Sequence, residues 1–143
     1  KLAHKASFYG HVDWGDVNWI SNIVPQDSDL NQGQWKELEK QIRQLVRDNQ
    51  LVFVVTGPVY EQNPESTRKL TTATPEDDQI VIPSGFFKII MAGNPAREDS
   101  IEIAAFIFKQ ENPPTIHEKI ASIRDIETVT GLNFNPAATD QEW

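Results

Sequence analysis

The sequence predicts a mixed α+β domain built on a largely antiparallel central sheet with flanking helices. Three observations carry that prediction. Trp35, Leu38, Ile42, Leu45 and Val46 recur at helical spacing. The runs LVFVVT at Leu51–Thr56 and IEIAAFIF at Ile101–Phe108 are apolar and of strand length. No Gly-rich loop follows a strand, which removes the dinucleotide-binding and P-loop arrangements.

The elements follow in order. Asp13-Trp14-Gly15-Asp16 reads as a turn, and Val17–Ile23 as a short strand or a tight helical turn. Pro25–Leu30 is a polar loop. Asp29 and Asn31 are candidate caps, with Gln32-Gly33 as the entry to a helix that ends near Asp48-Asn49. Leu51–Thr56 is the best candidate for a central strand; Gly57-Pro58 should end it, with Val59-Tyr60 continuing after a kink. Residues 61–79 hold Pro64 and Pro75 and read as a long surface loop. Ile80–Ile82 and Phe86–Met91 are strand segments separated by Pro83-Ser84-Gly85. Ala92–Ser100 is a turn before the strand at Ile101–Phe108. Ile116–Ile123 reads as a strand or an irregular stretch. Arg124–Thr130 is a short helix with Gly131 as its C-cap, and Leu132–Trp143 is a surface tail.

Composition narrows the chemistry. The 143 residues suit one domain, with four Trp and seven Phe to fill its core. The absence of Cys excludes disulfides, thiolate catalysis and Cys-ligated zinc. No apolar run approaches the roughly 18 residues of a spanning helix, so no membrane is expected as partner. The opening KLAHKASF does not read as a signal peptide, which leaves the compartment open. A net charge of −8 argues against charge-driven binding of nucleic acid over the whole surface. A divalent cation and a few local Arg or Lys residues can still hold one phosphate on an acidic protein.

The densest polar constellation lies in SNIVPQDSDLNQGQWKELEKQIR, which ends at Arg43. Asn31 precedes the helix, and Trp35, Glu39 and Arg43 then follow at i,i+4 spacing on adjoining turns. An amide, a carboxylate and a guanidinium therefore border the apolar face. On these residues alone, an ordinary surface ion pair explains Glu39 and Arg43 as well.

The blocks ASFYGHVDWGDVNWISNIVPQDSDLNQGQWKELE, VVTGPVYE, IPSGFFKIIM and IEIAAFIFKQ, with IRDIETVTGL after them, are long and specific. On them the chain resembles the DNA/RNA non-specific endonucleases, the ββα-metal (His-Me finger) nucleases, over essentially its whole length. The resemblance makes residues 1–143 a single domain equivalent to the C-terminal two thirds of the family's. It implies that Asn31 is the one direct protein ligand of a Mg²⁺ ion, with Mn²⁺ as a substitute. Glu39 would hold metal-bound waters, Arg43 would contact a phosphate, and Asn22 would orient the general base or a water. DNA and RNA would be substrates and the products 5′-phosphorylated ends. The resemblance also suggests a secreted or periplasmic protein.

The family's general base is the His of an Asp-Arg-Gly-His motif, and here the chain departs from the pattern. The ungapped register through Ala6-Ser7, Gly10 and Asp13-Trp14 puts Lys1 in that position. A rival register reads Lys1-Leu2-Ala3-His4 against the motif, makes His4 the base and needs a gap. An ammonium with a pKa of roughly 10.4 is a poor base near neutrality. The chain is then expected to be a fragment without the motif, one piece of a two-part protein, or a degenerate member. The alternative function is accordingly a catalytically inactive pseudo-nuclease that binds or inhibits. Because the family's first strands precede the motif, an uncovered sheet edge or face is expected. An N-terminal fragment of the same protein or a second copy would be its partner.

The remaining polar residues carry weaker readings. His11 beside Asp13 and His117 beside Glu118 fit local surface pairs. Trp14 and Trp19 suit turn packing or stacking on bases, and Trp35 suits packing. Lys1, Lys5, Lys36, Lys40 and Arg43, with Arg68 and Lys69, form a basic rim or scattered surface charge.

Overall fold

Asp27 opens the helical part of the molecule. Its carboxylate accepts the backbone N–H of Asp29 at 2.9 Å and of Leu30 at 3.4 Å, capping α1 (Ser28–Gln32). Asn31, expected to precede the helix, thus lies inside a short helix of its own. In this computed structural model, which describes residues 1–48, 50–70, 80–94, 96–97, 100–110 and 119–134, Gly33 separates α1 from α2 (Gln34–Arg47). Trp35 and Leu38 turn inward from α2 with Ile42 partly buried behind them, as the helical spacing predicts. The turn at residues 13–16 and the segment at residues 17–23 form 3₁₀ turns, at Trp14–Asn18 and Ile20–Asn22.

The main sheet is antiparallel and mixed α+β packing surrounds it, as expected. Its order among the described residues is β1 (Leu51–Val59), β4 (Gly85–Gly93), β5 (Glu102–Lys109) and β6 (Ile120–Ala121). Two expectations for β1 fail. It lies at the edge of the described sheet, and β4 and β5 take the interior places. It also runs through Gly57-Pro58, pairing Gly57 with Phe87 and Pro58 with Phe86. An edge strand tolerates a proline, because one side of its backbone has no ladder to complete. Gly57 is where the Phe87 ring lies over the strand: a Cβ there would meet Cε1 of that ring at 2.7 Å.

Within residues 61–79, the described part holds a 3₁₀ turn (Pro64–Ser66) and β2 (Arg68–Lys69), which pairs with β3 (Val81–Ile82). Residues 111–118, including His117, lie outside the described residues. The last helix, α3 (Ile123–Thr130), is capped at both ends. Ser122 and Asp125 form a capping box, and Gly131 adopts φ 72°. The described start of the expected surface tail is partly inward, since Phe134 packs edge-on to Phe87 with ring centroids 5.7 Å apart.

Alternation along β4 divides the core in two. Phe86 and Ile90 face α2, where they meet Leu30, Trp35, Leu38 and Phe108. Phe87 and Ile89 face α3 and pack with Val59, Ala105 and Ile126. Trp35 stands edge-on to both Phe86 and Phe108, each at 5.6 Å. The register pairs Phe53 with Met91 and Met91 with Ile103, so these three continue the α3 face. There Phe53 is 58% and Ile103 52% exposed, so the uncovered apolar surface expected from the sequence is present on this side.

Candidate active site

The odd residue on the α2 face of β4 is Lys88. It stands between Phe86 and Ile90 on the same side of the pleat and is 2% exposed. From α2, Glu39 meets it. The Lys88 Nζ lies 3.9 Å from Glu39 Oε1 and 4.1 Å from the centre of the Trp35 ring. The first distance is an ion pair rather than a hydrogen bond; the second is a cation–π contact. Burial pushes the Glu39 carboxyl above its ordinary pKa, against the pull of Lys88 and then of Arg43. Burial pushes Lys88 down to about 8, against the attraction of Glu39. Burial works against the charge on both groups, and the strongest pull that favours each charged form comes from the other.

The pair forms the floor of a cleft of about 480 Å³. Arg43, one turn beyond Glu39, lines the same cleft, and its Nη1 is buried with no hydrogen-bond partner among the described residues. Arg47 extends that wall by one further turn, while Val52, Val54 and Thr56 of β1 form the opposite side. The segment Leu2–His4 with Phe8 closes the third side. The structure thus brings Glu39, Arg43 and His4 together. A larger and more open groove of about 730 Å³ lies between Ile20–Pro25 and Tyr60–Glu61; among the described residues Glu61 is its one charged lining residue. The smaller cleft holds the charged cluster and is the candidate site.

Asn22 acts one step back from the cleft. Its Oδ1 accepts the Ala3 N–H at 2.7 Å, and its Nδ2 donates to Ala3 O at 2.9 Å and Val17 O at 2.8 Å. Its backbone carbonyl accepts the Leu2 N–H at 3.0 Å. One side chain therefore seats the whole segment that closes the cleft. His4 follows that clamp. Its Nδ1 accepts the Ala6 N–H at 3.0 Å. Partial burial and then the nearby Arg43 charge lower its pKa, which favours the neutral ring. With Nδ1 occupied as acceptor, the ring proton sits on Nε2, so the second nitrogen is a donor in this tautomer.

Asn31 is half-buried in the last turn of α1 and is not among the residues lining the cleft. Its helix is anchored at its middle and just before its first turn. Leu30 is fully buried, and the buried Gln110 accepts the Asp27 N–H at 2.6 Å while donating to Pro25 O and Pro83 O. Lys1 Nζ donates to Asn18 Oδ1, while the α-amino group of the same residue is near enough to Glu39 for the two charges to attract. His11 is exposed beside Asp13 and outside the cleft. Lys5 lies over the Trp14 ring at 4.3 Å, whereas Trp19 donates to Asp16 and is 66% exposed. Lys40 pairs with Glu37 on the surface.

A family model described as DNA/RNA non-specific endonuclease matches residues 6–141. The chain belongs to this family. It is 38% identical over 134 residues to the nuclease of Serratia marcescens, covering 89% of the chain and 46% of that relative. It is 30% identical over 128 residues to endonuclease G, mitochondrial, of Homo sapiens, covering 85% of the chain and 42% of the relative. The chain spans less than half the length of both. The solved EndoG/EndoGI complex contains a chain of the same fold, with a TM-score of 0.67 at 20% identity over 88% of this chain and 53% of that one. The fold is accordingly that of the ββα-metal nucleases.

Within this member of the family, sequence reasoning missed Lys88, Arg47 and Phe8. Lys88 had a signal: it is the lone charge in GFFKIIM. A lysine at a period-2 position between two core residues must be buried, and a buried ammonium needs a carboxylate or a ring. Arg47 and Phe8 had none, because only the packing of the N-terminal segment against α2 makes them neighbours.

Proposed function

We propose that this domain hydrolyses phosphodiester bonds of DNA and RNA in a Mg²⁺-dependent, sugar-non-specific reaction that leaves 5′-phosphorylated ends. The observation that supports it best is the partnerless Arg43 Nη1 beside the buried Glu39 carboxylate in one cleft. A guanidinium nitrogen that lacks an acceptor can donate to a phosphate oxygen once the half-exposed side chain turns into the cleft. Phosphate carries no base information, so recognition of this kind is independent of sequence and sugar.

The donor set fits Mg²⁺ or Mn²⁺: one amide oxygen on Asn31 and one carboxylate on Glu39 suit a hard cation that keeps most of its waters. Among the described residues no cluster of three His, Asp or Glu side chains competes for a different metal. When bound, the ion supplies charge stabilisation to the phosphoryl oxygens and the leaving group. In this reading Asn31 binds it directly, Glu39 accepts hydrogen bonds from its waters, and Arg43 grips the phosphate. Asn22 holds Leu2–His4 so that the cleft keeps its shape. His4 in its present tautomer donates from Nε2, which suits a phosphate oxygen better than it suits proton abstraction. The register of the resemblance puts the family's base position at Lys1, a lysine where the family has its His.

The reading is tested by plasmid nicking and RNA cleavage with Mg²⁺, with Mn²⁺ and with EDTA, in the wild type and Asn31→Ala. EDTA-sensitive cleavage that Asn31→Ala abolishes is the expected result. Unchanged magnesium dependence in Asn31→Ala would show the site assignment to be wrong. Magnesium binding without cleavage by the wild type would favour the inactive binding module, which the Lys1 position supports. The apolar surface around Phe53 and Ile103 supports an N-terminal segment of the same protein, or a second copy, as the covering partner. A secreted or periplasmic location follows from the family resemblance, and fractionation of cells and medium tests it against the organelle named for the human relative.

A further inference from the structure

Glu39 poses a physical problem that its role as a water-holding carboxylate makes sharper. It is 5% exposed, and a buried carboxylate with no countercharge takes up a proton or swings toward water. Three cations act on it: Lys88, Arg43 and, more weakly, the α-amino group of Lys1. Arg43 is half-exposed to the cleft and has an unused nitrogen, so its charge is available to a ligand. Lys88 differs on both counts. It is almost fully enclosed, its stem is fixed in the middle of β4, and its ammonium is divided between Glu39 and the face of Trp35. Trp35 is itself locked edge-on between Phe86 and Phe108. The chain Phe86/Phe108–Trp35–Lys88–Glu39 is therefore a rigid support, anchored in the interior strand of the sheet, for a carboxylate carried on a helix.

We infer that Lys88 is a positioning residue for the metal site, holding the Glu39 carboxylate at the floor of the cleft from its place between β4 and α2. The inference rests on the proposed role of Glu39 and adds a residue to it. Lys88 touches neither metal nor substrate. It acts through Glu39, so its loss should weaken metal binding while leaving the Arg43 contact to phosphate intact. A purely structural ion pair would behave differently: its removal would alter stability and leave metal affinity where it was.

The test measures Mg²⁺ affinity by calorimetry on the intact chain, alongside thermal unfolding, for the wild type, Asn31→Ala, Lys88→Met, Lys88→Arg and the double variant Lys88→Met/Glu39→Gln. Methionine keeps the unbranched stem and fills the space beside Trp35. Lys88→Met is expected to weaken Mg²⁺ binding about 10- to 100-fold, the range for groups that orient metal ligands. Lys88→Arg should recover part of that loss, because it restores a cation over the ring. The double variant should regain thermal stability relative to Lys88→Met, having no stranded carboxylate, and should not regain metal binding. Wild-type Mg²⁺ affinity in a folded Lys88→Met protein overturns the inference. If that result accompanies loss of binding in Asn31→Ala, the metal site stands and only the role of Lys88 falls. If Asn31→Ala binds like the wild type, the site assignment and this inference fall together.

Discussion

The two faces of the sheet bury comparable aromatic and aliphatic side chains and put them to different use. On the α2 face the core of Leu30, Trp35, Leu38, Phe86, Ile90 and Phe108 encloses a lysine and a glutamate. On the α3 face the cluster of Val59, Phe87, Ile89, Ala105 and Ile126 is itself apolar, and beyond it Phe53 and Ile103 remain open. Packing on the α3 face contributes stability in proportion to the area it hides. The α2 face spends part of that gain on keeping two charges out of water. A fold has no reason to bury a charged pair for stability alone, which is why the costly face is where the chemistry is sought.

Mutations that separate stability from metal binding sharpen this contrast. Trp35→Ala should have the largest effect. It removes a ring that is 1% exposed, and truncations of this kind cost about 3–5 kcal/mol. It also uncovers Lys88, so chemical denaturation and Mg²⁺ titration should both show the loss. Ile126→Ala, at a fully buried position on the other face, should cost about 2–5 kcal/mol with Mg²⁺ affinity unchanged. A fall in Mg²⁺ affinity in Ile126→Ala would mean that the two faces are coupled and the division is false.

Smaller effects test the same division at its edges. Ser122→Ala removes the cap of α3 and should cost about 1 kcal/mol by denaturant unfolding. Its pH dependence has a defined sign. Backbone and then side-chain hydrogen bonds from Ser122 hold the Asp125 carboxyl below its ordinary value. The carboxylate therefore contributes stability above the unfolded Asp value of roughly 3.9, lost as pH falls through the lower folded value. Ser122→Ala removes only the hydroxyl bond and keeps the larger backbone one, so it should shrink that acid-side step rather than abolish it. Phe53→Lys, on the open part of the α3 face, should change stability by only about 0.5 kcal/mol. If a copy or another segment covers this face, sedimentation should show the lysine variant losing that association; equal sedimentation of the two proteins would leave the face without such a partner.

Local chemistry decided much of the architecture. The period of Trp35, Leu38 and Ile42 specifies α2, the apolar runs specify β1, β4 and β5, and Gly131 ends α3, because each depends on residues close in sequence. The pairing of Glu39 with Arg43 on adjoining turns follows from helix geometry in the same way. Strand rank, by contrast, is a non-local property. LVFVVT has the composition of a central strand, yet β1 lies at the edge and tolerates Pro58 there, because rank depends on which strand finds partners on both sides. The helix of Trp35 and Leu38 starts after Gln32-Gly33 as expected, but the Asp27 carboxylate captures backbone N–H groups upstream and puts Asn31 in a separate helix, α1. Asn22 could be read as a polar residue near the site. Only the folded chain shows its amide consumed in clamping Ala3, nineteen residues away. Lys88 makes the same point most strongly. The sequence by itself requires a buried ammonium at that position, and only the approach of α2 to β4 determines that Glu39 and Trp35 satisfy it. Backbone conformation follows from neighbours along the chain, whereas the partner of a buried charge follows from neighbours in space.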